Sequence, residues 1–436
     1  MGTMKRTRPD GTRLAPTREG GRTMQGDDRA RMLTFGLVLG AACLFCVACG
    51  GETANDGSGG NGAAQEAQDA QDAQEDMSAH EGHDHEGHDH EGHAEEAGSV
   101  GEATNAFVSG QRVDELIRAE ESHFKALYQL TNGGENAEAY FSTDESQLIL
   151  QITGLGHDCD QIYTLPLHGG TPKLVSTGTG RTTCAYFFPG DEKILYSSTH
   201  LAGAECPPVP DYSRGYVWPL YPSYEIFVAN ADGSNLQQLT KTPGYDAEAT
   251  ISADGSIVFT SARDGDLEIY TMAADGSNVK RLTHEVGYDG GPFFSSDGFR
   301  ICYRASHPTD PEQIADYKNL LAEGLIRPSQ LDIWIMDHDG ENKTQLTDNG
   351  AANFGPYFHP NGRKIIFASN LSDPRGRNFD LYMVDIESKE VERITHEVTF
   401  DGFPMFSRDE KYLVFASNRG SEKEGETNVF LAEWSN

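Results

Sequence analysis

Residues Ala231–Thr240 read "ADGSNLQQLT", and Ala274–Thr283, 43 residues on, read "ADGSNVKRLT". An Asp-Gly pair opening a short run that closes on Leu-Thr is a tight turn leading into a strand. Near-identity at a fixed offset means that one supersecondary unit is used repeatedly.

Extending outward from these two stretches gives the whole unit. From Tyr245 it reads "YDAEATISADGSIVFTSARDGDLEIYTMAADGSNVKRLT", and it restarts at Tyr288, Asn353 and Phe400. Two further copies lie upstream, opening with "AEAYFSTDESQLILQI" and "TTCAYFFPGDEKILYSS", which makes six units spaced by 43–64 residues. Each unit reads as four strands, A to D. A turn such as Asp254-Gly255 or Asn361-Gly362 separates A from B. Strand B is an apolar run ("SIVFTS", "KIIFAS", "YLVFAS"), continuous because both of its faces are buried. Strand C opens polar, aliphatic, aromatic, as in Glu268-Ile269-Tyr270 and Asp380-Leu381-Tyr382. Strand D ends in "QLT", "RLT" or "RIT".

A four-stranded sheet that is apolar on both faces cannot stay dry alone, and radial stacking of copies buries both faces. The expected fold is therefore all-β: a six-bladed β-propeller of four-stranded antiparallel blades. The last unit stops after strand C at Trp434, while a lone D-like strand, "ALYQLT", stands ahead of the first at Ala126–Thr131. That N-terminal strand is expected to complete the sixth blade and close the ring.

The repeats resemble the TolB-type propeller family, a WD-like repeat group, from Phe124 to the end of the chain. The resemblance implies a protein-contact role at a bacterial envelope. TolB proteins carry an α/β domain ahead of the propeller, and nothing here matches it. Related prolyl-oligopeptidase propellers pair with a hydrolase domain, but the chain has no Gly-x-Ser-x-Gly elbow, so no catalytic residue is expected.

The segment preceding the propeller is of another kind. Arg29 and Arg31 precede an apolar run, Met32–Cys49, that ends "CVACGG". This is an export signal of lipoprotein type, with Cys49 the expected acylated residue and Cys43 the competitor. A simple cleaved signal or an uncleaved anchor is the alternative. The expected location is the outer membrane, facing the periplasm or the cell surface. Residues 1–49 are thus leader, and 50–110, which hold no Lys or Arg, are an expected disordered tether. Within the tether, "HEGHDHEGHDHEGH" places His80, His83, His85, His88, His90 and His93 among carboxylates, a composition that suits Zn²⁺, Ni²⁺ or Cu²⁺. Residues 111–123 are expected to form a short helix before the propeller at 124–436.

The 436-residue chain has a formal net charge of −34, which argues against nucleic acid as a partner. The expected partner is an envelope protein or peptide, bound by a monomer that requires no cofactor.

Two B–C loops are long, His200–Ser223 and Ser306–Gln330, and both should crown one face. The first carries Tyr212, Arg214, Tyr216, Trp218 and Tyr221, residue types that anchor interfaces or form a lid. The second reads as a helix capped by Asp310, with Tyr317 on its inner side. Arg181, Asp246, Asp289 and Asp401 fall at D–A positions of the same face. Collectively they could draw a cation or a basic peptide end to the channel mouth; singly, each could cap its own turn. Cys159, Cys184 and Cys206 should approach that face as well, and two of them are expected to form a disulfide, with Cys159–Cys184 geometrically plausible. A metal centre from His157, Cys159, Cys184, His200 and Cys206 is the sharper alternative. A second functional class is a polysaccharide lyase or hydrolase with a metal on His157, His200 and His307. A third is metal capture by the tether.

Overall fold

The computed structural model describes residues 110–435 except 374, 375, 377 and 422. The leader, Cys49 and the six tether histidines lie outside the described residues.

Six antiparallel sheets follow one another, each ordered A–B–C–D. In blade three the strands are Asp246–Ile251, Ile257–Ser261, Glu268–Met272 and Lys280–Arg281. Strand B fits its sequence reading: Val258 and Phe259, Ile365 to Phe367, and Leu413 to Phe415 are fully buried. Successive side chains of B point to opposite faces, and each face is covered by the neighbouring blade.

The recurrent Leu-Thr or Ile-Thr ending has a specific job. In five blades the hydroxyl of that Thr, and in blade one the hydroxyl of Ser176, accepts a hydrogen bond from the backbone N–H of the aliphatic residue of the polar-aliphatic-aromatic triplet in strand C. The donors are Ile162 to Ser176, Ile226 to Thr240, Ile269 to Thr283, Ile333 to Thr347, Leu381 to Thr395 and Val429 to Thr131, at 2.8–3.0 Å. The same hydroxyl donates to the polar residue opening strand C at Gln161, Glu225, Asp332 and Asn428. This pairing explains why both positions recur.

Thr131 belongs to the N-terminal strand, so its bond to Val429 is the ring closure. Phe124–Gln129 pairs antiparallel with Asn428–Trp434 as the D strand of blade six. A parallel bridge, Glu135 to Thr427, joins blade six to blade one as Leu267–Tyr288, Leu331–Ala352 and Phe379–Phe400 join other neighbours.

Residues 111–123 are not the expected helix. Gln111–Arg112 adds a fifth strand outside Phe124–Gln129, and Asp114–Leu116 makes one 3-10 turn. A helix this short is marginal by itself, whereas the open strand edge offers backbone partners at once. Asp114 Oδ1 accepts from the Leu127 N–H at 3.0 Å and fixes the turn against that strand.

Every innermost strand A carries a bulge where its register with B shifts. The bulged residues Glu138, Cys184, Glu248, Gly291, Gly355 and Phe403 all have φ of 51–59°. Only two are glycine, so four side chains accept left-handed backbone at a steric cost of roughly 1–2 kcal/mol each. Bulges bend and twist the strand, and all six residues line the cavity at the ring centre.

Candidate functional site

The B–C and D–A connections share one face, and on it the two long inserts are one structure. Trp218–Pro219 of the first pairs with Leu325–Ile326 of the second in a two-stranded ribbon. The Leu220 N–H adds a bond to the Gly324 carbonyl at 2.6 Å. Helix α1 (Pro311–Ala322) begins as its sequence predicts, with Asp310 accepting from the N–H groups of Glu312 and Gln313 at 2.9 and 3.1 Å. The Tyr317 hydroxyl pins it to the loops below, within hydrogen-bond reach of the Gly287 carbonyl of the D–A loop at 2.7 Å and of Asp266 in the B–C turn of blade three. Leu220, Tyr224, Tyr245, Leu267, Tyr288 and Ile326 form an apolar cluster beneath, with Trp218, Tyr221 and Tyr317 packed on it. The aromatic residues of the first insert therefore build a lid. The Trp218 indole N–H donates to the Tyr216 hydroxyl at 3.0 Å, and the Tyr221 hydroxyl to the Pro208 carbonyl at 2.6 Å. The rings of Tyr212 and Tyr216 stack at 6.4 Å, both half-buried, and Arg214 ends the 3-10 turn that starts at Tyr212.

The lid is stapled by Cys159–Cys206, whose Cα atoms are 6.0 Å apart. The expected pairing of Cys184 is corrected: Cys184 is buried and outside the disulfide, as is Cys302. Cys184 occupies the bulge of its strand, which turns it into the channel and away from Cys159. The disulfide also removes the alternative of a metal held by Cys159 and Cys206. The pair spans 47 residues of sequence, so replacing both cysteines by serine should cost about 2–4 kcal/mol, read as a lower urea midpoint at unchanged slope.

Four residues expected on the binding face lie beneath it. Arg181, Asp246, Asp289 and Asp401 are at most 4% exposed. Each Asp sits at the start of strand A, against the end of strand B and a basic side chain just beyond. Arg263 Nη2 donates to both oxygens of Asp246 at 3.0 and 2.9 Å, and Arg419 Nη2 to both of Asp401 at 3.1 and 2.9 Å. Arg181 lies 3.9 Å from Asp160, also buried. These pairs cannot act as an open ring of carboxylates, because their charges are spent on one another. Burial pushes Asp246, Asp401 and Asp160 above the usual carboxylate range, and the arginines oppose the shift.

Below the lid, the channel holds an ion pair that the pattern reading passed over. Buried Arg304 on strand B of blade four donates to Glu248 on the bulge of blade three, and to the Tyr288 hydroxyl at 2.9 Å. Glu248 accepts further from Thr260 at 2.7 Å and from the Gly291 N–H at 2.8 Å. Trp218 caps the pair, its ring 5.4 Å from the Arg304 guanidinium and 5.2 Å from Phe354. A charged residue inside an otherwise apolar B strand, "RICYRAS", was the available signal. The cavity lined by Glu248 and Arg304 among others, about 20 Å³, has room for little more than one water.

Residues 221–318 match the TolB beta propeller domain. Over those residues the propeller is similar to the TolB type. An uncharacterized protein of Agrobacterium fabrum is 36% identical over 92 residues, 21% of this chain and 30% of that relative, so the shared part is under a third of its length. A solved structure described as TolB of Agrobacterium tumefaciens superposes with a TM-score of 0.48 at 20% identity, over 71% of this chain and 97% of its own. An oligogalacturonate lyase solved with manganese superposes with 0.45 at 13% identity, over 76% and 97%.

On the lid-bearing face the three B–C histidines stay apart. His157 lies edge-on to Tyr163 at 6.5 Å. His200 packs 4.5 Å from Phe227 and contacts the Ser198 hydroxyl at 2.9 Å; burial lowers its pKa. His307 Nε2 lies 3.0 Å from Asp289 Oδ1. Burial alone would lower the His307 pKa, but Asp289 and Glu285 outweigh it and raise it. Among the described residues, the group that brings three metal-ligating atoms within 4.8 Å of one another is Glu285, Asp289 and His307.

Proposed function

We propose that the protein is an exported, lipid-anchored, non-catalytic scaffold that binds an envelope protein or peptide on the lid-bearing face of its TolB-type propeller. The supporting observation is where apolar side chains remain exposed. Of the exposed large apolar residues among those described, Leu155, Leu201, Val209, Val286 and Val398 stand in B–C or D–A connections, hence on that one face, while Val279, Phe299 and Val391 lie elsewhere. Leu201 and Val209 belong to the stapled insert and are 62% and 48% exposed. A rigid support holding apolar side chains in water costs little ordering entropy on binding, and exposed apolar groups clustered on one face mark interaction sites. The apolar leader ending at Cys49 supplies the anchor, and the tether gives reach.

Crosslinking and pull-down from envelope extracts test this reading. The wild-type chain should capture a defined partner, and Leu201→Asp with Val209→Asp should lose at least about tenfold of that capture while keeping the same melting temperature. Equal capture by the double variant would reject this face. A lyase of the manganese-bound type would instead turn over acidic polysaccharide.

A further inference from the structure

We infer that Glu285, Asp289 and His307 form a binding site for a divalent transition-metal ion of the zinc class, between blades three and four on the lid-bearing face. The repeat frame shows that this position is built differently from its counterparts in blades three and six. Strand A opens with Asp246 in blade three and Asp401 in blade six, and in both blades strand B ends Ser-x-Arg, at Ser261–Arg263 and Ser417–Arg419. The arginine neutralises the aspartate from within the chain. In blade five the residue is Asn353, which carries no charge, and the arginine position holds Leu371. Blade four keeps the acid, Asp289, but its register pairs Asp289 with Ala305, so His307 stands at the arginine position and carries a full charge only when protonated.

Asp289 is fully buried, and its Oδ2 has no hydrogen-bond partner. Glu268 Oε2 and the Tyr303 hydroxyl, both on fully buried residues nearby, are also unpartnered. A buried carboxylate without a cation is costly. A charged His307 would address only Oδ1, leaving Oδ2 without a partner. One divalent ion bridging His307, Asp289 and Glu285 would neutralise the buried carboxylate and give Oδ2 a partner.

The ligand atoms are nearly in place. His307 Nε2 and Asp289 Oδ1 are 3.0 Å apart, and the Glu285 atom completes a set within 4.8 Å. A tetrahedral zinc ion with bonds of about 2.0–2.1 Å separates its ligands by roughly 3.3 Å. Glu285 stands in the exposed D–A loop and can close by that small amount. The His307 ring is held edge-on against Trp334 at 5.3 Å, and its side chain stays 19% exposed, which leaves a path for the ion. One imidazole with two carboxylates suits zinc-class ions, whereas calcium wants six to eight oxygens. Three protein ligands leave the fourth position open to solvent or to an atom of a bound partner.

The test uses the full chain with the six tether histidines changed to serine, stripped with chelator and titrated with Zn²⁺ by calorimetry and thermal melting. One equivalent should bind and raise the melting temperature, and His307→Ala or Asp289→Asn should abolish both effects. Glu285→Gln, exposed and therefore safe for folding, should weaken binding at least about tenfold. No bound equivalent, undiminished affinity in Glu285→Gln and His307→Ala, or a preference for Ca²⁺ over Zn²⁺ would each overturn the assignment.

Discussion

Arg419→Met should lower the unfolding free energy at pH 7 by about 3–5 kcal/mol, one of the largest single-residue effects available in this chain. The Arg419 side chain is fully buried and binds two carboxylates at once, Glu121 at 3.1 and 3.2 Å and Asp401 at 2.9 and 3.1 Å. Methionine would leave two buried acids facing each other. The pH dependence carries a definite sign. Burial raises the Asp401 pKa in the folded state, and Arg419 opposes the rise. Without Arg419 the folded-state pKa climbs further above the unfolded value. Stability of the variant is then lost as pH rises from the unfolded carboxylate value toward neutrality, so its deficit should shrink on going from pH 7 to pH 5. Urea titrations of both proteins at the two pH values measure this, and a deficit constant with pH would contradict it.

Deleting residues 111–131 should have a larger effect still, because it removes the D strand of blade six and its Thr131 latch. The edge of Asn428–Trp434 would then stand open, and open apolar edges associate. Glu121 and the bond from Arg118 to Glu397 would go as well. The expected outcome is an aggregated or unfolded product. Placing the same segment after residue 436 through a flexible linker should restore a monomer with near-native melting, because closure needs the strand and not its position in the chain. A deletion that melts like the parent would remove the structural role given to the segment.

The sequence made the blades legible because their signals are local. Asp-Gly turns, unbroken apolar B strands and the closing Leu-Thr each act within a few residues, and Thr131 carried the same signal before blade one. Relations depending on register across strands were not legible. That Asp246 meets Arg263 and Asp401 meets Arg419 requires knowing that the start of A opposes the end of B. The bulges left no compositional mark, since Glu138, Cys184, Glu248 and Phe403 adopt left-handed backbone without being glycine. They decide that Cys184 faces the channel and that Cys206 takes Cys159. The joining of the two inserts at Trp218 and Ile326 was equally hidden, because a two-residue ribbon has no periodicity to read.

Native-state hydrogen exchange tests the ring closure most directly. The Leu130 N–H bonds to the Val429 carbonyl at 2.8 Å, and the ladder amides of Phe124–Gln129 face those of Asn428–Trp434. The closed ring predicts that both sets exchange together, only through global unfolding, with the protection of the central B strands. Exchange of the Phe124–Leu130 amides within seconds, while Asn428–Trp434 keeps core protection, would contradict it.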